Sequence, residues 1–171
     1  MMTETVVNVQ QAPNNNAANN KTSDNQGLSW IKINLDYFKS PPGIIKIVEL
    51  ILGILCMTLA SPAYLSGTHF FLFVATVSFI GTLIWIFVYL LGVREALNLP
   101  INWLLTELLN TCICTVMYLI AFIVQLSVWA GPYIHFRGVN LAAGVFGLFN
   151  TLAYGFGTYL LYSEWKSNQN N

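Results

Sequence analysis

The sequence predicts an all-α fold: a four-helix transmembrane bundle preceded by a disordered N-terminal tail. Three observations predict it. Charged residues make up 8% and hydrophobic residues 56% of the 171-residue chain, against about 25% charged in an ordinary soluble domain. Four apolar runs, 44–65, 70–91, 103–129 and 139–161, are each long enough for a hydrocarbon core of about 30 Å at 1.5 Å per residue. The connections between them are short. Backbone amides in lipid must be satisfied internally, which leaves helices or closed barrels, and these runs are too long and too continuously apolar for barrel strands.

Residues 1–27 are polar and rich in Asn and Gln, as in Pro13-Asn14-Asn15-Asn16. They cannot bury enough apolar surface to offset ordering, so a disordered tail is expected. Residues 28–43 form a second unit. Leu28, Ile31, Leu35 and Phe38 recur at helical spacing beside Trp30 and Tyr37, with Lys32, Asp36 and Lys39 interleaved. That pattern predicts a segment lying in the membrane interface. Ser40-Pro41-Pro42-Gly43 then opens the first helix. The four-span domain is expected over 44–165, with Pro62 near the far end of the first span, followed by a short tail at 166–171. Connections are placed at 66–69, 92–102 and 130–138. No cleavable signal peptide is expected, so the first span acts as its own anchor.

Orientation follows from the basic residues. Lys21, Lys32, Lys39, Arg94 and Lys166 fall on one side and Arg137 on the other, which places both termini and the middle loop in the cytoplasm. The one glycosylation sequon, Asn20-Lys21-Thr22, then lies on the unmodified side.

The seven basic and seven acidic residues cancel, and no basic cluster, helix-turn-helix or zinc spacing appears, so no nucleic-acid partner is expected. No phosphate loop or hydrolytic motif occurs. No catalytic residue, metal site or cofactor is therefore expected. His69 and His135 read as polar residues of the outer loops. Cys56, Cys112 and Cys114 fall in apolar runs and read as buried thiols filling core space. Cys112 and Cys114 point in different directions on a helix and cannot pair.

Three ionisable residues lie inside spans: Lys46, Glu49 and Glu107. A charge at a helix centre costs about 2.5–3.5 kcal/mol on insertion scales. Lys46 and Glu49 are i,i+3 neighbours on one face. The three are expected in one layer near the helix ends, as a structural ion cluster that fixes packing. A proton- or cation-coupled site is the functional alternative for an intramembrane carboxylate. In the third span Glu107, Thr111, Cys114, Tyr118, Ala121 and Gln125 share one face, with Asn110 beside them. Polar residues on one face turn toward other helices. The fourth span contributes Asn150, Thr151, Tyr154 and Thr158 as hydrogen-bonding groups, and its Ala143-x-x-x-Gly147 and Thr151-x-x-x-Gly155 spacings allow close helix approach. Packing within the bundle is the first reading of those spacings and self-association the second. The second span offers Ser78, Thr82 and Tyr89 as hydrogen-bonding groups.

Over 33–165 the chain resembles the MARVEL-domain family, in particular its chemokine-like-factor and plasmolipin-like branch. The resemblance rests on Gly43-Ile44-Ile45-Lys46-Ile47-Val48-Glu49, on Leu99-Pro100-Ile101-Asn102-Trp103 leading through Glu107 to Met117-Tyr118, and on Ala142-Ala143-Gly144-Val145-Phe146-Gly147. It implies a non-enzymatic protein that organises membrane domains and works in vesicle traffic, apposition or fusion at the plasma membrane or in vesicles. It also implies lipids and other integral membrane proteins as partners, with a homo-oligomer among them. The alternative is a small ion- or solute-coupled transporter using Glu49 and Glu107.

Overall fold

In a computed structural model, residues 35–93, 102–132 and 135–170 are described. The expected disordered tail, the start of the interfacial segment, the Asn20 sequon, and Arg94 and Glu95 of the middle loop lie outside the described residues. A 3-10 turn, Leu35–Lys39, precedes four helices: α1 (Pro41–Ala60), α2 (Ser66–Leu90), α3 (Trp103–Trp129) and α4 (Arg137–Gln169). All four are long and apolar enough to cross a membrane.

Each boundary has a local cause. Helix α1 opens on Pro41 and Pro42, whose missing N–H groups are unneeded in the first turn, and Ser40 caps it by accepting from the Gly43 amide. A Cβ at Gly43 would collide with the Tyr37 carbonyl, so glycine lets the 3-10 turn fold back onto the helix. Helix α1 stops at Ala60, five residues before the end expected from hydropathy. Ser61 precedes Pro62 and is extended, at φ −92° and ψ 141°, because proline crowds the helical conformation of its predecessor. Helix α2 then begins at Ser66, so the connection is 61–65 and not 66–69, and His69 lies in a helix. Asn102 caps α3 by accepting from the Leu105 amide at 3.1 Å. Helix α4 runs on to Gln169, taking in most of the expected C-terminal tail, since neither Gly nor Pro follows Gly157. Its 33 residues span about 50 Å, more than the hydrocarbon core.

Contacts run around a ring: α1 packs on α2 and α4, and α3 packs on α2 and α4. The chain reverses between successive helices, as short connections require. The arrangement inverts that of a soluble bundle. Ile51, Phe73, Ile113 and Leu152 face outward at 54–62% exposure, while Lys46, Glu49, Glu107, Gln125 and Asn150 are buried. Lipid tails solvate the apolar face, so polar groups gather where other helices can bond them. Phe71 packs against the backbone at Gly147, where a Cβ would stand 2.7 Å from its ring.

Candidate functional site

The three intramembrane charges meet near the ends of α1, α2, α3 and α4 that lie together. Lys46 and Glu49 sit in the second and third turns of α1, and the Lys46 Nζ lies 3.4 Å from Glu49 Oε2. Helix α3 brings Glu107 from the other side, with Oε1 3.5 Å from the same ammonium. The ammonium also donates to Thr111 Oγ1 at 3.3 Å. All three charged residues are at most 2% exposed. Such a cluster persists only when its members satisfy one another, because the water they lose is worth several kcal/mol per ion.

A second circle of groups closes the site. Tyr89, at the end of α2, donates its hydroxyl to Glu107 Oε2. Thr82 Oγ1 stands 3.3 Å from Glu49 Oε2 and 2.8 Å from the Tyr154 hydroxyl, which donates to the Ser78 carbonyl at 3.2 Å. Gly157 makes room for Glu49: a Cβ there would lie 3.0 Å from Glu49 Oε1 and 3.3 Å from Ile45. Outside the span, Tyr37 stacks on Tyr89 with ring centroids 4.3 Å apart and an interplanar angle of 7°. Burial, reinforced first among the nearby charges by the Glu107 carboxylate, holds the Tyr37 phenol above its ordinary value.

The polar stripe of α3 faces inward along its whole length. Glu107, Thr111, Cys114, Tyr118, Ala121 and Gln125 are all buried. At the far end Gln125 Nε2 donates to both the carbonyl and Oδ1 of Asn140 at 3.2 Å, and the Trp129 indole donates to Thr68 at 2.8 Å. Midway, Tyr118 stacks on Tyr154 with centroids 5.4 Å apart. On α4, Ala143, Gly147, Asn150 and Thr151 are buried, and the Thr151 hydroxyl bonds back to the Gly147 carbonyl at 2.8 Å. Gly155 is half-buried against Thr115.

One residue sits differently from its sequence reading. Cys112 is exposed while Cys56 and Cys114 are buried: one step from Thr111, it falls on the outer side of α3. An apolar run says nothing about whether protein or lipid covers a given position. Asn110 is half-buried and borders a cavity of about 100 Å³ between α2 and α3, with Ser78, Val77 and Met117 among its lining. It lies against Gly81.

Sequence reasoning did not assign Thr82, Tyr89, Tyr154, Gly157 or Tyr37 to the charged site. The spacing of Thr82 and Tyr89, two helical turns apart, was the available signal. The register that sets α2 beside α1 and α3 is carried by no local pattern.

The profile of the MARVEL family, described as a membrane-associating domain, matches residues 37–160. The chain is 28% identical to plasmolipin of Danio rerio over 142 residues, covering 81% of this chain and 80% of that protein. It is 33% identical to MARVEL domain-containing protein 1 of Danio rerio over 90 residues, covering 50% of this chain and 54% of that protein. No solved structure matches the chain significantly.

Proposed function

Because this chain belongs to the MARVEL membrane-associating family, we propose that it is a non-enzymatic multi-pass membrane protein that organises membrane domains and supports vesicle trafficking, apposition or fusion. One observation carries the reading: the bundle spends its polar groups on itself. The Lys46 cluster, the Thr82–Tyr154 pair and the Gln125–Asn140 bonds are internal, and the surface is a belt of Ile, Leu, Val and Phe. A protein so built acts through what packs on that belt, namely lipids, other integral membrane proteins and further copies of itself. The connection between α1 and α2 is five residues, 61–65, which supports no binding ectodomain there. The basic residues favour cytoplasmic termini, and the working location is the plasma membrane or trafficking vesicles.

The test is a knockout scored for vesicle distribution and membrane apposition beside a solute-flux assay. Disturbed traffic with unchanged flux is the expected result. A selective flux defect with normal traffic overturns the reading in favour of a transporter using Glu49 and Glu107.

A further inference from the structure

We propose that Glu49 is a proton-binding site: its carboxyl holds one proton in the resting bundle and donates it to Thr82, at the head of a hydrogen-bond chain that crosses from α1 through α2 to α4. The proposal goes beyond the membrane-organising reading and does not depend on it.

The argument is a count of hydrogens. Three contacts run in series: Glu49 Oε2 to Thr82 Oγ1 at 3.3 Å, Thr82 Oγ1 to the Tyr154 hydroxyl at 2.8 Å, and the Tyr154 hydroxyl to the Ser78 carbonyl at 3.2 Å. Each contact needs one hydrogen. The Thr82 and Tyr154 hydroxyls supply one each, and the carbonyl supplies none. The third must come from Glu49. With a proton on Oε2 the chain has one direction, Glu49 to Thr82 to Tyr154 to the Ser78 carbonyl, and each hydroxyl donates once and accepts once. An ionised Glu49 takes the Thr82 hydrogen instead. The single Tyr154 hydrogen is then left with two acceptors, in a place where Thr82 and Tyr154 are each 1% exposed and water cannot make up the loss.

The charge balance agrees. The groups facing Glu49 are Lys46 from its own helix, Thr82 from α2, Glu107 and Thr111 from α3, and Tyr154 from α4, with Tyr89 beyond Glu107. They include one ammonium and one other carboxylate. Glu107 accepts from the Tyr89 hydroxyl at Oε2, and its Oε1 lies 3.5 Å from the Lys46 ammonium without a hydrogen bond. Glu49 is 1% exposed, its Oε2 lies 3.4 Å from the same ammonium, and its Oε1, like that of Glu107, has no hydrogen-bond partner. Ionising both carboxylates would leave one buried negative charge without a cation. A proton on Glu49, drawn from water, leaves Lys46 and Glu107 as a matched pair.

The experiment is infrared spectroscopy of the purified full-length chain in lipid nanodiscs at neutral pH, reading the carbonyl stretch of protonated carboxyls, with carbon-13 glutamate to assign it. One protonated glutamate per chain is expected. Glu49→Gln should abolish the band yet fold, because its amide N–H can still donate to Thr82. Thr82→Val removes the acceptor and should shift the band without abolishing it. The proposal is overturned by a wild-type spectrum with no protonated glutamate or with two, or by a band that survives Glu49→Gln. It is equally overturned by a band that Thr82→Val leaves unmoved or erases. Should Glu49→Gln fail to fold, the wild-type count and the Thr82→Val shift still decide.

Discussion

Lys46 and Glu107 meet at 3.5 Å although their helices face each other across the ring of contacts rather than side by side. The ion pair is thus a diagonal brace. It ties α1 to α3 across the interior of the bundle, where Gly157 of α4 leaves room beside Glu49.

Removing the brace should be costly in proportion to the charge left behind. Lys46→Ala leaves Glu107 buried without its cation, and such a loss costs about 3–5 kcal/mol. Lys46→Arg keeps the charge and should lose much less. Thermal unfolding in detergent and delivery to the cell surface should both rank wild type above Arg above Ala. Normal, equal behaviour of the two variants would contradict a structural role for the cluster.

Gly157→Ala places a methyl group 3.0 Å from Glu49 Oε1 and 3.3 Å from Ile45. Overpacking of this kind costs about 1–3 kcal/mol. Gly138, on the same helix, has nothing within 4 Å of an added Cβ, so Gly138→Ala should be neutral or slightly stabilising. Comparing the two unfolding temperatures separates the clash from the change in helix propensity.

Tyr37 gives the fold an alkaline limit. Its phenol is held above the ordinary value by burial first and the nearby carboxylates second. The folded state therefore keeps a proton that the unfolded chain releases near pH 10. Stability from this group is complete below that pH and declines as pH rises beyond it toward the folded value. Tyr37→Phe should flatten the fall in stability above pH 10, and the Tyr37 ring carbon resonance should stay at its phenol position there. A phenolate signal for Tyr37 at pH 10 in the folded protein would contradict the stacking on Tyr89 as its normal state.

Topology has a direct chemical test. With the N-terminal tail in the cytoplasm, Asn20 in Asn20-Lys21-Thr22 should carry no glycan. Intact-protein mass before and after glycosidase treatment should be identical. A glycosidase-sensitive shift mapped to Asn20 would reverse the orientation.

Much of this architecture was legible because a membrane helix writes its inner face in local spacing. The row Glu107, Thr111, Cys114, Tyr118, Ala121 and Gln125 can be read from the third span alone, and all six residues are buried. The Lys46–Glu49 pair is likewise an i,i+3 relation within one helix. What was not legible depends on how separate helices are registered. Thr82 reaches Glu49 and Tyr89 reaches Glu107 only because α2 sits at one particular height. Hydropathy also misjudged the end of α1. Ala63, Tyr64 and Leu65 continue the apolar run, but the backbone has already left the helix at Ser61, ahead of Pro62. Cys112 shows the third gap: in lipid an apolar neighbourhood does not distinguish inside from outside.

The closed ring of contacts has a consequence for how the protein is made. Helix α1 leaves the ribosome first, and α4, on which it packs, leaves last. At first Lys46 and Glu49 have only each other. Thr82 arrives with the second helix, Glu107 and Thr111 with the third, Tyr154 and Gly157 with the fourth. Each newborn chain passes through a stage in which charged groups face lipid or the insertion machinery without their partners. That stage is a window in which a membrane chaperone or a degradation pathway can tell a finished molecule from an abandoned one.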